Sequence, residues 1–222
     1  MPSVTNKMAA NTVTYHYWGS VRSRNMYAGY IMAGANLTDK MDCHTDYPYP
    51  GTPEWEVASP KSAWGQLPVL TDTETGATIG ESGAIHRYLI KKFGLEPAGL
   101  KEYGFMNQSL ESASAIHGAL GKAHYGAVRK DAMDATFTVG TGSVMKVFAG
   151  AEQNFEDGSV FACAEASPGD YALAAGLQLC VDLQADCLDT FPKLKALHEH
   201  VSGMETIKAY NASHAYPYFK RE

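Results

Sequence analysis

The chain has 222 residues, enough for one large or two small domains, and its 45% hydrophobic and 19% charged residues are those of an ordinary soluble globular protein. A net charge of −6 argues against nucleic acid or an anionic membrane as the main partner. No stretch approaches the roughly 18 consecutive apolar residues of a membrane-spanning helix, and Met1 to Ala10 lacks the apolar core of a signal peptide.

Residues 1–11 are small and polar and read as a flexible extension. Val13 to Trp18 alternates and is rich in aromatics, which predicts a strand. Asn25 to Gly34 predicts a helix stopped by Gly34, and Asn36 to Cys43 a second strand. Pro48 to Pro60 holds too many prolines for a regular element. Pro68 lacks an N–H and has a fixed φ, so it belongs at the first position of a strand or in a tight turn, sometimes cis. Val69 to Thr71 and Ala77 to Ile79 then pair across a turn at Asp72 to Gly76. Glu81-Ser82 opens a helix ending near Phe93, with Ile85, Tyr88, Leu89 and Phe93 on one face and Lys91 and Lys92 in the last turn, where cations suit the dipole. This β-α-β, then β-β-α order predicts a thioredoxin-like α/β N-terminal domain.

Gly94 to Gly99 is a linker by composition, and beyond it strand signals nearly vanish. Met106, Leu110, Ala113 and Leu120 mark one long helix, and Ser143 to Phe155 another. Ser167-Pro168-Gly169-Asp170 is a capping box with proline at the first helical position. It opens a helix carrying Leu173, Leu177, Cys180, Val181 and Gln184. Thr190-Phe191-Pro192 starts one more, with Leu194, Leu197 and Val201 inward. Two unlike domains are therefore expected, an α/β one over 1–94 and an all-α one over 100–222. The four cysteines, Cys43, Cys163, Cys180 and Cys187, show neither CxxC nor dense disulfide spacing, so a reducing, cytoplasmic setting is expected. Cys43-His44 has no second ligand pair nearby, so no metal site is expected and the pair reads as a solvated loop after a strand.

A proline-kinked backbone edge facing a helix N-terminus suits a small peptide, with backbone pairing for its middle and helix-end N–H groups for a carboxylate. Gln66-Leu67-Pro68, the hairpin, Glu81-Ser82 and a helix closing on Phe93-Gly94-Leu95 resemble the glutathione-binding half of cytosolic glutathione transferases. Ser167 to Tyr171 resembles the start of that family's buried sixth helix, and Cys187 to Leu194 the start of its next one. The resemblance spans about residues 13–212.

The resemblance implies particular roles. Val13 to Trp18 resembles the first strand of the tyrosine-type (sigma-, alpha-, mu- and pi-like) classes, with Tyr17 as the catalytic tyrosine. Tyr15, two residues earlier on the same face, is its rival. The family's Arg-Gly has shifted here to Gly19-Ser20-Val21-Arg22-Ser23-Arg24, which leaves Ser20 as an alternative hydroxyl donor and either Arg22 or Arg24 as a source of positive potential. Leu67 and Pro68 would meet the cysteinyl moiety of glutathione, Glu81 and Ser82 the γ-glutamyl end, and Trp55 and Lys61 the glycyl carboxylate, with Gln66 a further contact. The partner subunit's acid falls near Ala115, where none stands; Glu111 is one turn earlier. Met106, Leu110, Ser114 and Tyr218, with the tail Tyr216 to Phe219, would line the electrophile pocket. The implied activity is conjugation of the glutathione thiolate to small hydrophobic electrophiles by a homodimer, with glutathione as co-substrate and no other cofactor. The alternatives are sigma-like isomerisation or peroxide reduction, and a non-catalytic binding or structural role on the same fold.

Overall fold

The computed structural model describes residues 12–19, 21–45, 47, 48, 51–58 and 65–222. Its first part contains β1 (Val13–His16), β2 (Val21–Arg22), α1 (Asn25–Gly34), β3 (Met41–His44), α2 (Pro53–Ala58), β4 (Val69–Asp72), β5 (Ala77–Gly80) and α3 (Ser82–Lys92). The second part is helical: α4 (Leu100–His124), α5 (Arg129–Thr136), α6 (Ser143–Glu152), α7 (Pro168–Leu183), α8 (Pro192–Gly203) and α9 (Glu205–Ser213), closed by β6 (Tyr216–Pro217). None of the described helices is long and apolar enough to cross a membrane.

The sheet runs β3-β1-β4-β5, with β1 parallel to β3 and antiparallel to β4, and β4 antiparallel to β5. Val13, Tyr15 and Leu70 point from it into a core shared with Ala28, Met32, Ile85 and Leu89. The opposite face of α1, with Met26, Tyr27, Tyr30 and Ile31, enters a larger core built on α4, α6, α7 and α8. A helix that is apolar all round is a buried helix. Asn25 through Ala33 of α1 are all buried accordingly.

The capping box at α7 forms as its sequence predicts. Asp170 accepts from the Ser167 N–H at 2.8 Å, the Ser167 hydroxyl at 2.7 Å and the Ala162 N–H at 3.1 Å. Beside it, a Cβ on Gly169 would lie 2.3 Å from the Met106 carbonyl oxygen, so α7 approaches α4 as closely as glycine alone permits.

Several elements differ from the sequence expectation. β1 ends at His16 rather than Trp18. The second strand begins at Met41, because Asn36 takes φ 56° after α1 and Thr38–Lys40 form a 3-10 turn. Cys43 and His44 sit in that strand, not in a loop after it. The proline-rich segment contains α2, which Pro53 opens from the position where proline costs no hydrogen bond. The short helices α5 and α9 are not among the expected elements.

Asp72 joins the hairpin to α3. It is 1% exposed and accepts from Lys92 Nζ at 2.7 Å, Tyr88 Oη at 2.5 Å and the Glu74 N–H at 2.9 Å. Burial by itself raises the carboxyl pKa, but the bonds from Lys92, Tyr88 and Glu74 outweigh it and hold the group well below the usual carboxylate range. A depressed folded pKa stabilises the fold above the unfolded value, about 3.9, and that stability is lost as pH falls toward the folded value. Urea midpoints should therefore drop as pH is lowered from about 4 to 2, and Asp72→Asn should flatten that part of the profile. An unchanged acid limb in the variant would contradict the assignment.

Candidate active site

Two clefts meet at the N-terminus of α1. The first is polar, about 220 Å³, and is lined by Arg24, Gln66, Leu67, Pro68, Glu81 and Ser82. The Leu67–Pro68 peptide is cis, and Pro68 leads directly into β4. The Leu67 backbone N–H and C=O make no hydrogen bond among the described residues, so a free peptide edge faces this cleft. Across it, Glu81 holds φ 66°, a conformation that costs a non-glycine residue about 1–3 kcal/mol and is retained where the surroundings impose it. Ser82 follows as the first residue of α3, whose initial N–H groups have no intrahelical acceptor. The Ser82 hydroxyl accepts from Arg24 Nη1 at 3.3 Å, and Gln66 Nε2 donates to Glu81 Oε1 at 3.4 Å.

The second cleft, about 340 Å³, is bounded by Tyr17, Trp18, Ser23 and Arg24 on one side and by α4 and the tail residues Tyr218 and Phe219 on the other. Tyr17 follows β1 directly, its N–H donating to the His44 carbonyl at 2.8 Å. Its ring stacks on Trp18 with centroids 5.4 Å apart, and its hydroxyl lies 3.3 Å from Ser23 Oγ. Burial raises the Tyr17 pKa, opposed by the Ser23 bond and the Arg24 charge, so the phenol keeps its proton at neutral pH. Tyr15 sits deeper, 1% exposed in the sheet core, with its hydroxyl unpartnered among the described residues.

A third, small cavity of about 40 Å³ lies behind Arg24, bordered by Tyr27, Ser82, His86, Leu110, Glu111, Ser114 and His117. Burial first, and then the Arg24 charge, push both histidines down to about 3, so they are neutral imidazoles.

The family model described as "Glutathione S-transferase, C-terminal domain" matches residues 121–214. Glutathione S-transferase 2 of Onchocerca volvulus is 27% identical over 147 residues, 66% of this chain and 70% of that protein. The solved Pi-class glutathione S-transferase of Onchocerca volvulus superposes with TM-score 0.77 at 22% identity, covering 93% of this chain and 96% of that one. The chain thus resembles glutathione transferases in sequence and shares their fold. Prostaglandin synthase D of Nilaparvata lugens shares the fold, with TM-score 0.72 at 18% identity over 90% of this chain and 97% of that one.

Within this glutathione transferase fold the anticipated site residues separate. Gln66, Leu67, Pro68, Glu81 and Ser82 line one cleft, while Tyr17 and Tyr218 line the other. Lys61 and Ser20 lie outside the described residues. Trp55 is buried on α2, and residues 59–64, which follow this helix, lie outside the described residues. Met106 does not reach either cleft; it is 2% exposed in the helical core, where the stripe with Leu110 and Ala113 packs inward. Leu110 and Ser114 border the small cavity rather than the aromatic cleft. Glu111 pairs with Arg87 of its own chain at 2.5 Å.

The two arginines also separate. Arg22 binds Asp182 at 2.7 and 2.9 Å and the carbonyls of His214 and Ala215, whereas Arg24 borders all three cavities. Sequence reasoning missed His117, Gly118, Gly121 and Lys122 of α4 and Tyr125 directly after it, all of which line the aromatic cleft. The spacing of Gly118, Gly121, Lys122 and Tyr125 was the available signal, since i, i+3, i+4 and i+7 share one helix face.

Proposed function

We propose that the protein conjugates glutathione to small apolar electrophiles and that Tyr17 is its catalytic residue. The observation that carries this reading is the position of Arg24, a shared wall between a polar cleft with a free peptide edge and an aromatic cleft holding Tyr17. Glutathione would lie with its γ-glutamyl carboxylate at Ser82 and the start of α3, where helix N–H groups favour an anion. Its cysteinyl backbone would pair with Leu67, its glycyl end would extend toward Trp55 and Lys61, and its sulfur would point toward Tyr17. A free thiol with a pKa near 8.5 is mostly protonated at neutral pH. A phenol O–H donated to sulfur, with the Arg24 charge nearby, favours the thiolate. The thiol proton leaves to solvent, and the sulfur lone pair then forms the C–S bond. In substitution the leaving group departs with its electron pair; in conjugate addition the displaced π pair becomes an enolate that takes a proton from water.

Retention on immobilised glutathione together with turnover of an aryl halide tests the reading. Retention without conjugation would favour isomerisation, peroxide reduction or a non-catalytic role instead. The four free thiols motivate a cytoplasmic setting. Exposed Val57 on α2 and Leu100 on α4 support a homodimer in which the first domain of one subunit meets the helical domain of the other. Light scattering at micromolar concentration should give twice the 24.0 kDa of the chain, and a monomer mass would overturn the dimer.

Tyr17→Phe should lower conjugation on the order of 10²-fold, with glutathione affinity little changed and the pH–rate profile moved to alkaline pH. Tyr15→Phe should have a weak effect. Damage confined to Tyr15→Phe or Ser20→Ala would reassign the hydroxyl donor.

Ser82→Ala removes a hydroxyl donor from a bound carboxylate and should weaken glutathione binding by about 1.5–3 kcal/mol. Glu81→Gln should change it modestly, because attraction to the ligand ammonium and repulsion from its carboxylate nearly offset, with the larger effect at low salt. Calorimetric titration of both variants at two salt concentrations checks the order. A greater loss for Glu81→Gln would reverse the two roles.

A further inference from the structure

Of the three cavities that Arg24 borders, the small one has no part in the proposed chemistry, yet its walls carry polar groups that lack partners. Tyr27 on α1, His86 on α3 and His117 on α4 border it and are 3%, 7% and 7% exposed. The Tyr27 ring lies between the other two, with centroids 6.0 Å from His86 and 5.6 Å from His117. The Tyr27 hydroxyl, His86 Nε2 and His117 Nδ1 are sealed without a hydrogen-bond partner, and the second nitrogen of each ring has none either among the described residues. Buried polar groups ordinarily have one. His86 Nδ1, unlike its Nε2, is not sealed, and of the three cavities His86 borders the small one alone, so this nitrogen opens onto it.

Charge decides what kind of partner fits. Two guanidinium groups, of Arg24 and Arg87, and one carboxylate, of Glu111, line the cavity. Glu111 pairs with Arg87 at 2.5 Å. Half-buried Arg24 forms no ion pair among the described residues and donates to the Ser82 hydroxyl at 3.3 Å. One positive charge is therefore left uncompensated, which disfavours a cation, and the described residues hold no cluster of metal-ligating side chains. Burial pushes both imidazoles down to about 3, so each is neutral and keeps one N–H to donate. Burial raises the Tyr27 phenol, which keeps its proton as well. A guanidinium and three such donors form a set that an anion completes. The volume of about 40 Å³ is close to the roughly 30 Å³ share of one water, so it admits a monoatomic ion and excludes sulfate, phosphate or a carboxylate substrate.

We propose that the cavity behind Arg24 binds one chloride ion, held by the Arg24 guanidinium, the Tyr27 hydroxyl and the His86 N–H, and that this ion weakens the positive potential Arg24 presents to the Tyr17 cleft. Binding of the ion is independent of the conjugation reading above, and its effect on the cleft rests on that reading. Arg24 borders the aromatic cleft too, and an anion set against it cancels part of the field that favours a thiolate there. Glutathione bound beside an Arg24–chloride pair therefore ionises at higher pH.

The test measures broadening of the chloride NMR line by the full chain without glutathione, at an ionic strength held constant with isethionate. Wild type should broaden the line saturably, and bromide should reverse the effect while sulfate does not. Tyr27→Phe, which deletes one hydroxyl, and His86→Leu should each weaken chloride about tenfold, the scale of a hydrogen bond to a charged group. Neither should lower the melting temperature, because each removes a buried polar group that has no protein partner. Lys146→Gln, exposed on α6, should leave the broadening unchanged. Crystals soaked in bromide should show an anomalous peak beside Arg24 and His86. No saturable broadening, equal broadening by the Tyr27 and His86 variants, displacement by sulfate, or bromide bound elsewhere alone overturns the site and leaves the conjugation reading standing. With glutathione added, chloride should raise the thiol pKa, read from thiolate absorbance, by roughly 0.5–1 unit in wild type and much less in Tyr27→Phe. Chloride bound with an unmoved thiol overturns the coupling to the cleft. A chain that binds chloride but not glutathione overturns the conjugation reading, and the coupling with it, and keeps the site.

Discussion

The arrangement depends on α1 having no solvent face. Ala28 and Met32 lie in the core under the sheet, and Met26, Tyr27, Tyr30 and Ile31 in the core of the helical part, so one ten-residue helix is the common wall of both. Neither core can close without it, because each face of α1 supplies side chains that the other elements do not. Holding that helix rigid also fixes its N-terminus, and Ser23 and Arg24 stand there. The position of Arg24 at the junction of the cavities thus follows from packing at a distance from any chemistry.

A second constraint brings the end of the chain to the beginning. β2 and β6 pair in parallel, with Val21 opposite Tyr216 and Arg22 opposite Pro217, and the Tyr218 N–H donates to the Arg22 carbonyl at 3.0 Å. Arg22 reinforces this by bridging Asp182 on α7 and the carbonyls that precede β6. Tyr218 and Phe219 are thereby delivered beside Trp18, and the Tyr218 hydroxyl meets that of Tyr125. The aromatic cleft is a product of this tie. Its floor comes from Tyr17 and Trp18 just after β1, its wall from α4 and its cover from the tail, three segments far apart in sequence.

Legibility followed the range of the interaction that decided each feature. Pro68, the hairpin turn and the Ser167–Asp170 capping box act within a few residues, and their chemistry is readable locally. α2 was hidden because counting prolines ignores where each one falls, and Pro53 occupies the position a helix tolerates. Met106 and Leu110 were readable as apolar, but an apolar stripe does not say whether it meets a neighbouring helix or a cleft. The crossing with α7 at Gly169 answers that for Met106.

The sequence by itself determined the two-part organisation, the strand and helix order around the hairpin, and the pairing of a proline edge with a serine-headed helix, because periodicity and punctuation are local properties of the chain. Only the tertiary structure decided between Arg22 and Arg24, since the difference lies in Asp182, 160 positions away from Arg22. It likewise separated Tyr15 from Tyr17. Both belong to one alternating run, but β1 ends at His16, so Tyr15 is sealed under the sheet while Tyr17 reaches the cleft. The α4 wall was decided the same way, because which helix face meets solvent, core or ligand depends on what is packed against it.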